Sequence, residues 1–476
     1  MAKDLRTFLA QLSRDYPNEL VTVDNEVDPG RFEATAILTE LYERHKYPAV
    51  LFTRVKNLKG EVSSAQLALG LFSSHAKAEA TLDMKGVSRL ELIEEYVRRE
   101  QAGCRPEVIA KKGAPVKQVI YRDREVDLSL FPIVRHCEMD GNPYIDTAVV
   151  SYDPRYGYNA AFQRMMYLDE NHTAIHMSPR HTWTYFQARE QQGEPLPIAV
   201  VIGHHPAFYF GSLTMAPMDA DEYEIIGGML AEPLRVVASE TYGEELLVPA
   251  DAEIILEGEI VPNVRTVEGP FMEWTGYYGP QRLRWVVEIK AITHRRDPIY
   301  SCSFGHQTSE CNYLNLATEA GLLADLRRVA PTTKAVACMG RGYRFNVVIS
   351  MKKRMEGEPV SAALAALAAT DYAKNVIVVD DDIDPWNLAD VMWAVGMRVQ
   401  PERDVTIIKG KKGSTLDPSS THELATSAMI IDATVPLGQP FQRVVNIPDW
   451  VEQRVKLEDY ISADWLNKAD YPGTLV

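Results

Sequence analysis

The period of the hydrophobic pattern changes twice along this chain, and each change restricts the fold. From about 115 to 305, short β-like runs follow closely on one another: "VKQVIYR", "DTAVVSYD", "YNAAFQRMMYL", "PIAVVIG", "AEIILEGEIV" and "RWVVEIKAITHR", separated by Pro, Gly and Asp. Runs at that spacing predict a β-rich barrel or sandwich with few helices. Before it, residues 1 to about 110 alternate helical patterns ("RFEATAILTELYERH", "RLELIEEYVRREQ") with short apolar runs such as "AVLFTRV", which predicts a small α/β domain. After it, a helix predicted over 316–329 leads into "YRFNVVISM", "SAALAALAATDYA", "NVIVVDDDID", "NLADVMWAVGMRV", "DVTIIKG" and "AMIIDATVP". Strands rich in Val and Ile interleaved with helices predict an α/β layer with a largely parallel sheet. The expected fold class is therefore α/β plus β in three domains, 1–112, 113–312 and 313–476, the last ending in an amphipathic helix from "DWVEQRVKLEDYISADWLNK".

Length and charge narrow the function. A chain of 476 residues exceeds what one hydrophobic core supports, so a cleft between domains is available. The net charge of −16 repels phosphate backbones and anionic membrane surfaces, which leaves small molecules as the expected partners. Cys104, Cys137, Cys302, Cys311 and Cys338 contain no CxxC pair, which predicts free thiols in a reducing cytoplasm. The start, "MAKDLRTFLAQL", spaces Leu5, Phe8, Leu9 and Leu12 as an amphipathic helix, and no apolar run approaches the roughly 20 residues of a membrane span.

The stretch "VEGPFMEWTGYYGP" places Glu268 and Glu273 five positions apart, in a segment too broken by glycine and proline to be a helix. Two carboxylates in a poorly hydrated site cannot both ionise easily, so one can hold a proton for general acid-base work. Spacing alone leaves them as exposed loop acids; Phe271, Trp274, Tyr277 and Tyr278, able to exclude water, favour the functional reading. A second stretch, "YNAAFQRMMYLDENHTAIHMSPRHTW", carries Asn159, Arg164, His172, His176 and His181. Asn, His and a carboxylate suit Mn²⁺ or Mg²⁺ better than zinc. His172 and His176 are read as ordinary surface or core residues.

In "MDADEYEIIGGML", Asp219, Asp221, Glu222 and Glu224 stand at the start of a predicted helix, where capping explains most of the acidity, although one glutamate is available as a ligand. Asp380 to Asp382 and Asp384 are read as capping or solvated acids. "KGKKGSTLDP", with Lys409 to Lys412, lacks the order of a P-loop. "SCSFGHQTSECNYLN", with Cys302, His306 and Cys311, reads as a loop that lines a pocket rather than a Cys-His nucleophile.

Taken together, these segments resemble the UbiD family of reversible decarboxylases over essentially the whole chain. "EGPFMEWTGYYG" is similar to the family's EGPxGE/D-x-x-GY signature, with Met272 where glycine is usual. The resemblance implies an N-terminal α/β domain, a central split β-barrel that binds prenylated flavin mononucleotide, and a C-terminal α/β domain that mediates dimerisation. It implies a catalytic set of Arg164, Glu268 and Glu273, and a metal held by Asn159, His181 and Glu222, with Glu224 the competing choice. Cofactor contacts are implied for Asn159, Ala161, Phe162, Gln163, Arg164, Arg180, His181 and Glu222. The implied cofactors are prenylated FMN, Mn²⁺ and K⁺, with a flavin prenyltransferase as supplier and a homodimer or larger homo-oligomer as the assembly.

The chemistry agrees. Carbon dioxide leaving an sp² carbon requires an electron sink that no side chain supplies, so a cofactor has to provide it. The resemblance implies Glu273 as the group that protonates the carbon, which needs a carboxyl that keeps its proton at working pH, and Arg164 as partner of a carboxylate and of Glu268. The implied substrate is an aromatic, heteroaromatic or α,β-unsaturated carboxylic acid. Two alternatives stand beside this: a glycoside hydrolase using the two glutamates directly, and a flavin-binding subunit without catalysis.

Overall fold

The computed structural model describes residues 2–305, 313–339, 343–420, 425–445, 447–452 and 454–462. They divide into two compact units, Met1–Gly321 with Thr415–Ser419, and Leu322–Ser414 with Ser420–Val476.

The first unit opens on the helix Leu5–Asp15, whose Leu5, Phe8, Leu9 and Leu12 are all buried, as their spacing predicts. Asp4 and Thr7 close a capping box at its start. A four-stranded sheet follows, in the order Leu20–Val23, Ala49–Phe52, Gln66–Leu69 and Ile299–Ser301. Its last strand arrives from the far side of the β-rich segment, so part of the sequence read as a connecting loop is a paired strand.

The β-rich segment is a closed barrel. Its strands are β1 (Tyr144–Asp153), β2 (Gly157–Tyr167), β3 (His172–Ile175), β4 (Leu196–Ile202), β5 (Ile254–Glu268) and β6 (Arg282–His294). They run in the order β5-β4-β1-β2-β3-β6, and β6 pairs back to β5, while Val119–Arg122 adds to β6 outside the ring. Closure removes the exposed sheet edges that a sandwich would keep. Buried Val149, Met165, Val200, Leu256, Val287 and Ile289 belong to its core.

One stretch of the barrel is left open. β2 pairs with β1 along its whole length, but with β3 only from Met165 to Tyr167. Over 157–164 the other edge of β2 has no strand partner among the described residues. Backbone donors there turn to side chains: the Tyr158 amide donates to Asp221 at 3.4 Å and the Ala160 amide to Glu222 Oε2 at 2.5 Å. Both acids belong to the helix Glu222–Leu230 and its N-cap, where Asp221 also accepts from the Tyr223 amide at 2.9 Å. The expected capping role of Asp221 is thus present, together with a second role at the barrel edge.

The second unit holds a five-stranded sheet in the order Thr333–Cys338, Asn346–Met351, Asn375–Asp380, Ala425–Ala433 and Val405–Lys412. Only the two inner pairings are parallel, and both edge strands run antiparallel. The largely parallel sheet expected from sequence is therefore mixed. The link from Cys338 to Asn346 is too short for the crossover that a parallel neighbour requires.

Two further expectations change here. Asp380 and Asp382 are not merely solvated: both accept from the buried Arg398 guanidinium, at 2.9 Å and 2.6 Å. Asp384 does not cap the helix Leu388–Arg398, whose N-cap is Asn387, but accepts from the Trp386 amide in the turn before it. Lys409 to Lys412 end the strand Val405–Lys412, with Lys411 Nζ tied to the Thr370 carbonyl at 3.0 Å. Of the expected terminal helix, one turn at Asp449–Glu452 and a 3-10 turn at Leu457–Asp459 are seen, and 463–476 lie outside the described residues. No described helix is long and apolar enough to cross a membrane.

The helix that carries Glu222 depends on two small residues. A Cβ at Gly227 would lie 2.3 Å from the Cys104 carbonyl oxygen, and one at Gly228 would lie 2.3 Å from that of Arg99. Since backbone cannot yield as a side chain tip does, Gly228→Ala is expected to destabilise the protein by about 1–3 kcal/mol, measured by urea unfolding.

Candidate functional site

The strand register assembles the site. Directly opposite residues on antiparallel strands project to the same face. Met165 pairs with Ile175 and Trp285 with Ile175, so Arg164, His176 and Arg284 fall in one row across β2, the end of β3, and β6. Thr266 continues the row on β5, and one pleat further Glu268 faces Arg282. The His176 amide donates to the Arg164 carbonyl at 3.2 Å, and Arg284 Nε donates to His176 Nδ1 at 2.9 Å, so the row is bonded from strand to strand.

Arg164 joins both glutamates. Its Nε donates to Glu268 Oε1 at 2.9 Å, its Nη2 to Glu268 Oε2 at 3.3 Å, and its Nη1 to Glu273 Oε1. The contact with Glu268 is a two-pronged guanidinium-carboxylate pair, which fixes orientation as well as charge. All three side chains are buried, Glu268 completely at 0% exposure. Tyr144 donates its hydroxyl to Glu268 Oε1 at 3.2 Å, and burial, then the carboxylate beside it, pushes that phenol well up. The Arg164 guanidinium also lies over the Phe271 ring, 5.0 Å from its centre.

Glu273 comes from a small hairpin. Phe271 pairs with Gly279 and Met272 with Tyr278, leaving Glu273 at the start of the turn, where its amide donates to the Tyr277 carbonyl at 3.0 Å. A Cβ at Gly279 would lie 2.9 Å from Glu273 Oε1, so a larger residue there would push the carboxylate aside. Met272, in place of the usual glycine, is buried and donates its amide to Asp140 Oδ1 at 2.9 Å. The aromatic shield is thinner than the sequence predicts. Phe271 is buried, but Tyr277 and Tyr278 are 62% and 38% exposed because the turn points them outward.

At the open edge of β2, a second cluster forms. Glu222 Oε2 accepts from Asn159 Nδ2 at 2.9 Å, and Glu222 Oε1 lies 3.2 Å from His181 Nδ1. Asn159 Oδ1 accepts from Thr182, which accepts in turn from Gln163 Nε2 at 2.7 Å. Burial pushes the Glu222 carboxyl up, with only His181, Asn159 and the Ala160 amide opposing the shift. No Lys or Arg pairs with it among the described residues. Glu224 points away instead, half-exposed and 3.5 Å from Arg105. Gln163 Oε1 is buried without a hydrogen-bond partner. Ala161 and Phe162 lie between the clusters on β2, with Phe162 against Tyr209 at 5.6 Å, and Arg180 is exposed at the N-cap of His181–Glu190. Among the described residues no three His, Cys, Asp or Glu side chains gather as metal ligands do, and this cluster supplies two of those types plus an amide.

His172 is the surface residue expected, bonded to Asp169. His176 is not an ordinary core residue: it sits in the row between Arg164 and Arg284. Neither Arg282 nor Arg284 stood out in the sequence, because only the register shows what faces Glu268. Cys302 also gains a neighbour that spacing did not reveal, His136 Nε2 at 3.7 Å, while His306 and Cys311 lie outside the described residues. Cys104, Cys137, Cys302 and Cys338 are free thiols.

Comparison with known proteins gives this fold and site their class. Three family profiles match in sequence: the 3-octaprenyl-4-hydroxybenzoate carboxy-lyase N-terminal domain over 13–99, its Rift-related domain over 107–307, and its C-terminal domain over 311–433. The phenolic acid decarboxylase of Sedimentibacter hydroxybenzoicus is 35% identical over 95% of this chain and 96% of its own length. The anhydromevalonate phosphate decarboxylase of Methanothermobacter thermautotrophicus is 34% identical over 92% of this chain and 99% of its own. Among solved structures, the UbiD-class enzyme HmfF from Pelotomaculum thermopropionicum in complex with FMN superposes with a TM-score of 0.87 at 36% identity, covering 96% of this chain and all of that one. An evolved dimeric form of HmfF in complex with prFMN gives 0.84 at 34%, covering 97% of this chain and all of that one. The chain belongs to the UbiD family of carboxy-lyases and is a decarboxylase of that class. The glycoside-hydrolase alternative falls with that membership.

The row carries a pH signature. Burial, then repulsion by Arg164, Arg284 and Arg282, pushes the His176 imidazole down from 6.5 to about 2. Below pH 6.5 the unfolded chain takes up a proton that the folded protein refuses, so stability falls as pH falls through that window. His176→Gln is expected to flatten the acid limb of a stability-versus-pH curve by up to about 1.4 kcal/mol per pH unit, read by urea midpoints between pH 6.5 and 4.5.

Proposed function

We propose that the protein removes CO₂, without net oxidation, from an aromatic, heteroaromatic or α,β-unsaturated carboxylic acid with prenylated FMN as cofactor, Glu273 being the proton donor. The observation that carries this is the buried Arg164, which binds Glu268 and Glu273 at once and leaves two carboxyl groups with one guanidinium between them. The names of the relatives favour the substrate class: some act on phenolic acids and others on anhydromevalonate phosphate.

The bound flavin would supply the electron sink for the departing carboxylate. The residues do the rest. Glu268, held by Arg164 and Tyr144, is fixed as an acceptor and keeps the guanidinium aimed. Glu273, at the tip of its hairpin and held by one contact to Arg164, can turn toward a substrate carbon and deliver a proton there.

Asn159, His181 and Glu222 fit a divalent cation, Mn²⁺ by their mixed oxygen and nitrogen set, with K⁺ nearby. The support is Glu222 itself, a buried carboxylate with no guanidinium or ammonium beside it among the described residues. Ligation by the Asn159 oxygen requires its amide to turn, since Nδ2 faces Glu222. Asn159 and Arg164 are five residues apart on β2, about 17 Å at ~3.4 Å per residue. That odd spacing puts them on opposite faces. Asn159, Ala161, Phe162, Gln163 and Arg164, all on β2, would hold the flavin, and Gln163 Oε1 is free to accept a hydrogen bond from it. Arg180, exposed at the start of His181–Glu190, would contact the cofactor from there. The reading extends to a reducing cytoplasm, supported by four free thiols, a flavin prenyltransferase as supplier and assembly as a homodimer.

The test is an absorption spectrum of protein expressed with and without a flavin prenyltransferase, followed by a screen of unsaturated and aromatic acids for product and for deuterium incorporation from D₂O. A colourless protein that releases no CO₂ under either condition overturns the reading, and a coloured protein inert toward every acid favours the non-catalytic subunit. Glu273→Gln is expected to lower turnover by about 10²–10⁴-fold while flavin still binds. Asn159→Ala or His181→Ala is expected to weaken manganese binding by about 10–100-fold and to lower flavin occupancy, read by metal analysis and by absorbance.

A further inference from the structure

The site holds more positive charge than the two glutamates require. Arg164 is matched by Glu268 and Glu273. Arg284 stands in the same row and has no carboxylate partner among the described residues; its Nε donates to the neutral His176 and its Nη1 to the Leu283 carbonyl at 3.2 Å. Arg282, exposed and directly opposite Glu268, makes no hydrogen bond or ion pair among the described residues. The remaining acid facing the row, Asp146, is opposite Arg164 on β1 and receives a hydrogen bond from Ser303 at 2.7 Å, and burial pushes its carboxyl up, toward the uncharged form.

In a chain of net charge −16, two arginines that make no ion pair among the described residues, beside a Glu268 already bonded to Arg164, are unusual. A half-buried guanidinium left unpaired loses hydration without gaining an ion pair, so an anionic ligand that fills the gap is bound with charge-assisted hydrogen bonds. His176 serves this arrangement: as an acceptor for Arg284 Nε it fixes that side chain in the row while adding no negative charge.

We propose that Arg284, with Arg282 beside it, forms a subsite for a second anionic group on the substrate, so that the acid decarboxylated is a dicarboxylate or a phosphate-bearing acid. This deepens the decarboxylase reading above and rests on it. One anionic group is the carboxylate that leaves; the other stays in the product and anchors it to the row.

The test compares matched acids on the flavin-loaded enzyme: an aromatic dicarboxylate against its monocarboxylate, and a phosphate-bearing unsaturated acid against its alcohol. Wild type is expected to favour the doubly charged member of at least one pair in kcat/KM by about tenfold or more, and the pair that responds tells carboxylate from phosphate. In Arg284→Gln that preference is expected to fall about tenfold, and Arg284→Lys to retain part of it. A purely structural role for Arg284 lowers both members equally and leaves their ratio unchanged, which overturns the proposal, as does a wild type without preference in either pair. Calorimetric binding of the same pairs separates the two readings. If no acid is decarboxylated, the decarboxylase reading fails, and the subsite then stands or falls on whether wild type binds the doubly charged member more tightly and Arg284→Gln loses that difference.

Discussion

Two buried carboxylates share one guanidinium: Glu268 and Glu273 both lean on Arg164, and the three side chains are removed from water together. Such a group cannot be taken apart piecemeal. Without Arg164, two acids would face one another in a poorly hydrated pocket, and without Glu268 the guanidinium would lose its two-pronged partner and its orientation. The difference between the acids follows from how each is held. Glu268 ends a long barrel strand and is fixed by Arg164 and Tyr144, whereas Glu273 follows a short hairpin strand and is bonded through its carboxylate to Arg164.

The barrel makes this group possible. Unbroken antiparallel pairing of β1 with β2, and of β3 with β6, turns positions far apart in sequence into neighbours in one row. Closure matters too, because β5 brings Glu268 to the site only by pairing with β6 across the seam.

Much of this was legible in the sequence, for definite reasons. β4 is rich in Val and Ile, and the helix Leu316–Val329 carries a helical pattern, so local residue choice suffices for both. The acidic pair is legible from its aromatic flanks and the Asn159, His181 and Glu222 set through resemblance; in the structure Arg164 bonds both glutamates, and Glu222 meets Asn159 and His181. What stayed hidden depends on pairing between distant segments. His176 looks like any strand-end histidine until Arg164 and Arg284 flank it. Asp380 and Asp382 look solvated until Arg398 folds back on them, and Ile299–Ser301 looks like a loop until it joins a sheet begun nearly three hundred residues earlier.

The open edge of β2 gives one side chain two masters. Glu222 closes a gap in the backbone ladder through the Ala160 amide and also faces Asn159 and His181. Aspartate, one methylene shorter, would have to abandon one of those partners, so sequence drift at this position is blocked by barrel architecture. A redesign of the Asn159, His181 and Glu222 cluster has to rebuild the wall as well.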